Sequence, residues 1–283
     1  MTIAVTAATG QLGSLVVDAL LERTTPDQIV AVVRDAAKAE PLAAKGITVR
    51  VASYDDPTAL KDALAGVDRV LLISGNEFGQ RTVQHRNVID AAIANHVSRL
   101  VYTSAPQAET SALPVTPEHL ATEQYLATAG IDHVLLRNNW YHENYGQTLE
   151  TARQTGSVLT SAGEGLVASA ARADYAEAAA VVLTTDSPVK PVHELAGDVA
   201  WTQAELAAAL SEVLGTTITV SQVTPEQQTA ILVEAGLDEG TAGFVTAIDA
   251  ATAQGDLALT NGDLRALLGR PTTPLVETLR ALA

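Results

Sequence analysis

The chain has no cysteine, one methionine and only two phenylalanines in 283 residues. Without cysteine there is no disulfide, no thiolate nucleophile and no Cys-based zinc site. Aromatic residues make up 4% of the chain, so any stretch where several gather stands out. Cations are scarce as well: 17 Lys and Arg face 33 Asp and Glu, for a net charge of −16. A field of that sign repels phosphate backbones, which excludes nucleic acid as an expected partner. It does not exclude a small phosphorylated ligand, which backbone amides and one or two arginines can hold. No apolar run is long enough to cross a bilayer, so no membrane insertion is expected. The first residues read as a strand and not as a basic segment followed by a cleavable apolar one. A cytoplasmic setting is the default expectation.

What is present is a large apolar fraction, 47%, enough for a sizeable core. The opening stretch organises the rest. Ile3-Ala4-Val5-Thr6 is an apolar strand-like run. Ala7-Ala8-Thr9-Gly10-Gln11-Leu12-Gly13 is a small-residue turn, and Leu15, Val16, Ala19 and Leu20 then fall at helical spacing. Strand, tight turn and helix in this order place a diphosphate on a helix N-terminus. Gly10 and Gly13 fill two small positions of a GxxGxxG variant, and Ala7 takes the first. Gly10 lets the backbone approach phosphates, and Gly13 lets helix and strand pack closely.

Apolar runs at Gln28–Val33, Ile47–Ala52, Arg69–Ile73, Arg99–Thr103 and His133–Leu136 alternate with helix-period segments at Ala36–Ala44, Thr58–Ala65, Val83–Ala94 and Pro117–Ala129. Strands of this kind are covered on both faces, which predicts an α/β fold with a Rossmann-type doubly wound parallel sheet. A smaller, mostly helical C-terminal substrate domain completes the expectation. The boundaries are 1–140 for the dinucleotide-binding domain and 141–283 for the substrate side, with about 166–196 returning to the sheet.

Ligands in open sheets lie beyond the carboxyl ends of the strands. The second strand ends at Val33-Arg34-Asp35, about twenty residues past the glycine turn, where the adenosine ribose is read. Arg34 suits a 2′-phosphate and hence NADPH; Asp35 suits a free 2′-hydroxyl, so NADH is the alternative. Lys38 lies one helical turn on. The fourth strand runs into Ser74-Gly75-Asn76, small and polar enough for the middle of a dinucleotide, and then Phe78, a candidate wall of a flat pocket or a core residue. The fifth strand ends at Ser104.

A tyrosine followed four residues later by lysine is the usual proton-delivery pair when a serine occupies that place. None of the six tyrosines is followed by lysine at that spacing, and lysine is absent between Lys61 and Lys190. His119 and Glu123 stand on the helix that would carry the pair, as a proton source, a polar wall or an exposed surface pair. The sixth strand leads into Arg137-Asn138-Asn139-Trp140-Tyr141-His142-Glu143-Asn144-Tyr145, the densest polar and aromatic cluster of the chain. Its amides and Arg137 suit a carboxamide or phosphate, and Trp140 and Tyr141 suit planar rings. His142 and Glu143 are adjacent and lack metal-ligand spacing, so no metal is expected. Arg172 opens a later helix, facing the cofactor or pairing with an acidic neighbour.

These stretches, with Gly79-Gln80-Arg81, Gln84-His85-Arg86-Asn87-Val88 and Arg172-Ala173-Asp174-Tyr175-Ala176, resemble the NmrA-like branch of the atypical short-chain dehydrogenases over essentially the whole chain. Trp140-Tyr141-His142-Glu143-Asn144-Tyr145 favours the quinone-reducing members over the dye-reducing ones. The resemblance implies hydride transfer from NADPH to a quinone without flavin. It implies a cofactor site built from the glycine turn, Arg34, Ser74–Asn76, Arg137, Asn138, Asn139, Trp140, Tyr141 and Arg172. Phe78, Trp140, Tyr141 and His142 would line the substrate pocket, with Tyr141, His119 or Ser104 as candidate proton donors. A non-catalytic redox sensor, or a reductase of another planar molecule such as a cationic dye, is the alternative. A homo-oligomer is compatible with the sequence. The departure from the pattern is Ala7 in place of glycine, which matters if that residue needs positive φ.

Overall fold

The computed structural model describes residues 1–283. The chain runs β1 (Ile3–Thr6), α1 (Gln11–Leu21), β2 (Ile29–Val33), α2 (Glu40–Ala44), β3 (Thr48–Val51), α3 (Pro57–Ala63), β4 (Arg69–Leu72), α4 (Arg81–Ala94), β5 (Arg99–Ser104), α5 (Thr116–Thr128) and β6 (His133–Asn138). It continues with α6 (Gly146–Thr155), β7 (Ser157–Thr160), α7 (Arg172–Thr184), β8 (Val192–Leu195), α8 (Gln203–Leu214), β9 (Thr219–Gln222), α9 (Pro225–Glu234), α10 (Glu239–Ala253), α11 (Asp263–Leu268) and α12 (Leu275–Leu282).

A seven-stranded sheet has the order β3-β2-β1-β4-β5-β6-β8. Strands β1 to β6 pair in parallel. The Leu135 N–H donates to Pro191 and the Asn139 N–H to Leu195, bonds that advance together along both strands, so β8 is parallel too. The order steps outward from β1 in both directions, the doubly wound arrangement expected from the alternating runs. Every residue of β1 and β2 is buried, as strands covered on both faces require. Helix α1 buries Leu12, Gly13, Val16, Val17 and Leu20 along one face.

The chain divides into two compact units. The first comprises Met1–Ala108, Pro117–Asn138 and Ala173–His193. Its core joins Ala4, Val30, Val32, Leu72, Leu100 and Leu135 of the sheet to Leu60, Ile89 and Leu126 of the helices. Two arginines act as helix C-caps: Arg50 donates to the Ala63 and Ala65 carbonyls at the end of α3, and Arg69 to those of Leu183 and Thr185 at the end of α7.

The second unit comprises Glu109–Thr116, Asn139–Arg172 and Glu194–Ala283. Leu149, Val158, Trp201, Leu206, Leu210, Ile218, Leu257 and Leu279 form its core. It is not purely helical: β7 and β9 form a two-stranded parallel sheet that the sequence reading did not foresee. Both strands are only four residues long; β7 buries alternate residues, Val158 and Thr160, and β9 buries none. Another difference lies at Ala36–Ala44, expected as one helix. A 3-10 turn at Ala37–Ala39 precedes α2, where Pro41 occupies the first turn and lacks the N–H that a longer α-helix would use.

Candidate functional site

The turn after β1 is tight. The Gly10 N–H donates to the Ala7 carbonyl at 2.8 Å. A Cβ on Gly13 would lie 2.2 Å from that oxygen and 2.8 Å from the Ala8 Cα, so only glycine lets α1 close against the turn. A Cβ on Gly10 would lie 3.1 Å from the same oxygen. Gly10 precedes α1 with no side-chain cap, and the first turn holds no acidic residue. By contrast, α3, α8, α9 and α10 are capped by Asp56, Thr202, Thr224 and Asp238. The first N–H groups of α1 therefore remain for an anion.

Ala7 has φ +49°. It meets the condition under which the missing glycine matters, because an L-residue in the left-handed region carries strain of about 1 kcal/mol. Ala7→Gly removes that strain and adds some unfolded-state entropy. The expected net gain is about 0.5–1 kcal/mol, a rise in melting temperature of about 2 °C. A thermal melt with an unchanged or lower midpoint would show the strain to be negligible.

At the end of β2, Arg34 is exposed and its Nη1 donates to Glu77 Oε1 at 2.9 Å. Asp35 Oδ1 turns back to accept from the Ala37 N–H at 2.9 Å, a local turn bond. The segment after β4 is held by side chains beneath it. The Ser74 N–H donates to Thr103 Oγ1 at 2.9 Å, and the Gly75 N–H to His85 Nε2 at 3.0 Å. A backbone N–H can only donate, so Nε2 is unprotonated and the proton sits on Nδ1, 3.0 Å from Thr122 Oγ1. Arg81, itself buried, donates from Nε to the Gly75 carbonyl and from Nη1 to Glu118. Gln84, Arg81 and His85 stand one helix face below the segment. Nothing in their sequence spacing alone assigns them a part in the site. Phe78 is not a core residue; it is 56% exposed, with the Arg81 guanidinium 4.8 Å from its ring centre.

Where the tyrosine–lysine pair would stand, the structure places a buried polar network. His119 and Glu123 are buried, which corrects the surface-pair expectation. His119 Nδ1 lies 2.7 Å from the Tyr102 hydroxyl. Arg137 grips Glu123 with Nε to Oε1 at 2.9 Å and Nη2 to Oε2 at 2.5 Å. The Ser104 hydroxyl donates to the same Oε1 at 2.5 Å. Arg137, expected at the cofactor, is thus engaged as counter-ion to a buried carboxylate. The Ser104 proton is directed to Glu123, which leaves the hydroxyl oxygen as an acceptor on its other side. Burial, reinforced by nearby Arg81, pushes His119 down to about 3 and His85 likewise. A neutral His119 is not an imidazolium acid at neutral pH.

The two histidines are expected to make the fold acid-sensitive. In the unfolded chain they bind protons below their ordinary value near 6.5; in the native state they resist until about 3. The unfolded state then holds more protons, so stability is lost as pH falls from about 6.5 toward 3, at up to about 1.4 kcal/mol per pH unit for each histidine. Urea titrations at neutral and mildly acidic pH measure the slope. His119→Gln is expected to reduce it, and a slope unchanged in that variant would assign the acid sensitivity elsewhere.

In the second unit, Asn139 is a backbone staple: Oδ1 accepts from the Trp140 N–H and Nδ2 donates to the Leu257 carbonyl. Both polar groups of its side chain are used inside the fold. His142, expected at the substrate, is 2% exposed, with Nε2 3.0 Å from the Ser169 carbonyl and Nδ1 3.2 Å from Thr278 Oγ1. Both nitrogens are used inside the fold. Tyr141 is half-buried, and the Arg172 guanidinium lies 5.0 Å from its ring centre. Glu143 accepts from the Arg172 N–H with both oxygens, at 2.9 and 3.0 Å, and caps α7.

A glycine-tightened turn before an uncapped helix, at the centre of a doubly wound sheet, defines a nucleotide-binding α/β protein. The chain belongs to the NAD(P)H-binding family, whose model matches residues 7–186, and to its NmrA-like group. It is 46% identical to Quinone oxidoreductase 2 of Escherichia coli (strain K12), over 99% of this chain and 98% of that protein. The crystal structure of the NADPH-dependent quinone oxidoreductase of Escherichia coli complexed with NADPH superposes with a TM-score of 0.96, covering 99% of both chains at 46% identity. The Citrobacter sp. triphenylmethane reductase complexed with NADP(H) is 39% identical, with a TM-score of 0.95 and 100% of both chains covered. No helix is long and apolar enough to cross a membrane.

Proposed function

We propose that this protein is an NADPH-dependent oxidoreductase that passes a hydride directly to a quinone, without flavin or metal. The observation that carries this reading is the 46% identity, along 99% of the chain, to a quinone oxidoreductase. The residues present fit the cofactor. The open N–H groups at the start of α1 suit the diphosphate. Arg34, exposed at the end of β2, suits the 2′-phosphate.

The bound cofactor supplies the hydride, and one proton completes the hydroquinone. The chain's own residues bind and orient. The first turn of α1 holds the diphosphate. The Ser74–Asn76 segment, fixed by Thr103 and His85, keeps its place beside it. A quinone is a good electrophile and needs less acid assistance than an unactivated ketone, so the missing tyrosine–lysine pair is tolerable. Tyr141, backed by Arg172, is the planar face we assign to a flat substrate, and its hydroxyl is the assigned proton donor.

Purified protein with NADPH and a panel of benzoquinones is expected to bleach the reduced-nicotinamide absorbance above the uncatalysed rate. No bleaching with any quinone would overturn the reading. The 39% identity to triphenylmethane reductase favours a cationic dye as the second substrate class to include. Cofactor binding without turnover on either class would instead support a redox sensor.

A further inference from the structure

Arg34 leaves the end of β2, and Glu77 lies in the segment after β4. Both strands pair with β1, one on each side. The Arg34–Glu77 bond at 2.9 Å therefore spans the line of β1, across the turn that begins at Ala7. Glu77 is not a loosely swinging surface acid. Its other oxygen, Oε2, accepts at 2.8 Å from Gln84 Nε2, and that same nitrogen donates to Asp55 Oδ1 at 3.0 Å. Gln84 is 3% exposed, so a buried amide aims the carboxylate at the guanidinium. The Glu77 backbone is fixed as well, its carbonyl accepting from the Gln80 and Arg81 N–H groups.

From this geometry we infer that Glu77 is a built-in competitor for Arg34 that sets the preference between NADPH and NADH. The inference rests on the reading that Arg34 receives the 2′-phosphate. A carboxylate, like a phosphate, offers a guanidinium two anionic oxygens for a bidentate contact. A 2′-phosphate reaching Arg34 either displaces Glu77 or shares the guanidinium with it, and in the second case two anions lie side by side. Both lower the affinity for NADPH. A ribose with a free 2′-hydroxyl carries no charge there and leaves the pair intact. The strap thus narrows the gap between the two cofactors without touching the nicotinamide end.

The test is Glu77→Gln, which keeps the size and removes the charge; its one carbonyl oxygen can keep one of the two bonds accepted from Arg34 and Gln84, and its NH2 group cannot accept the other. Dissociation constants for NADPH and NADH are measured by fluorescence titration, with 2′,5′-ADP and 5′-AMP as probes of the adenosine end alone. The same measurements are made on Arg34→Ala and on the double variant. Glu77→Gln is expected to tighten NADPH and 2′,5′-ADP about fivefold, to leave NADH and 5′-AMP within about twofold, and to have no effect once Arg34 is gone. A cofactor ratio unchanged in Glu77→Gln, while Arg34→Ala weakens NADPH, overturns the competitor role and leaves the Arg34 reading standing. A Glu77→Gln effect that persists without Arg34 also overturns it, because the charge then acts on the phosphate directly. If Arg34→Ala itself leaves NADPH binding unchanged, the Arg34 reading falls and the competitor role falls with it.

Discussion

Arg137→Met is expected to destabilise the protein by about 3–5 kcal/mol. Glu123 is 5% exposed, and its carboxylate is held by Arg137 through two bonds and by Ser104 through one. Removing the guanidinium leaves a carboxylate inside the fold with a single hydroxyl donor, and the surrounding β5, β6 and α5 exclude the water that would otherwise compensate. The pair taken together is a different matter. Bringing two charges out of water offsets most of their attraction, so Glu123→Leu combined with Arg137→Met is expected to recover much of the loss. Urea unfolding of the two single variants and the double variant measures the coupling. A single Arg137→Met variant within about 1 kcal/mol of the parent would mean that Glu123 is neutralised or rehydrated at little cost.

Arg34→Asp is expected to weaken NADPH binding about 100-fold while leaving NADH within about threefold. A charge-assisted hydrogen bond to a phosphate is worth about 1.5–3 kcal/mol, and the introduced carboxylate adds repulsion. Arg34 is among the exposed residues, with its side chain 69% accessible, so the substitution leaves the core untouched and folding is expected to be unaffected. Titration of both cofactors separates a lost 2′-phosphate contact from general damage. Equal weakening of NADPH and NADH would move the 2′-phosphate away from Arg34.

Local chemistry made much of this protein readable. Ile3–Thr6 and Ile29–Val33 are apolar on both faces, and only a sheet covered by helices on both sides accepts such strands. Gly13 announced a close approach, and the Ala7 carbonyl is the group it approaches. Thr202 stands immediately before α8 as its capping residue, a start signal carried by local sequence. The missing lysine told that the ordinary proton-delivery pair is absent.

Other features depend on distant residues. Nothing local distinguishes a surface His119–Glu123 pair from a buried one; the outcome turned on Arg137, which arrives from β6 at the carboxylate. Asn139 and His142 look like ligand contacts in a polar cluster, yet their partners, Leu257 and Thr278, lie more than a hundred positions along the chain. The strands β7 and β9 are too short to announce themselves and exist because they pair with each other. The sequence by itself determined the sheet, the glycine-tightened turn and the cation at the end of β2, because each follows from spacing within a few residues. Only the tertiary structure decided which polar side chains face a ligand and which satisfy one another, because a buried charge or amide takes whichever partner the fold brings within hydrogen-bonding distance.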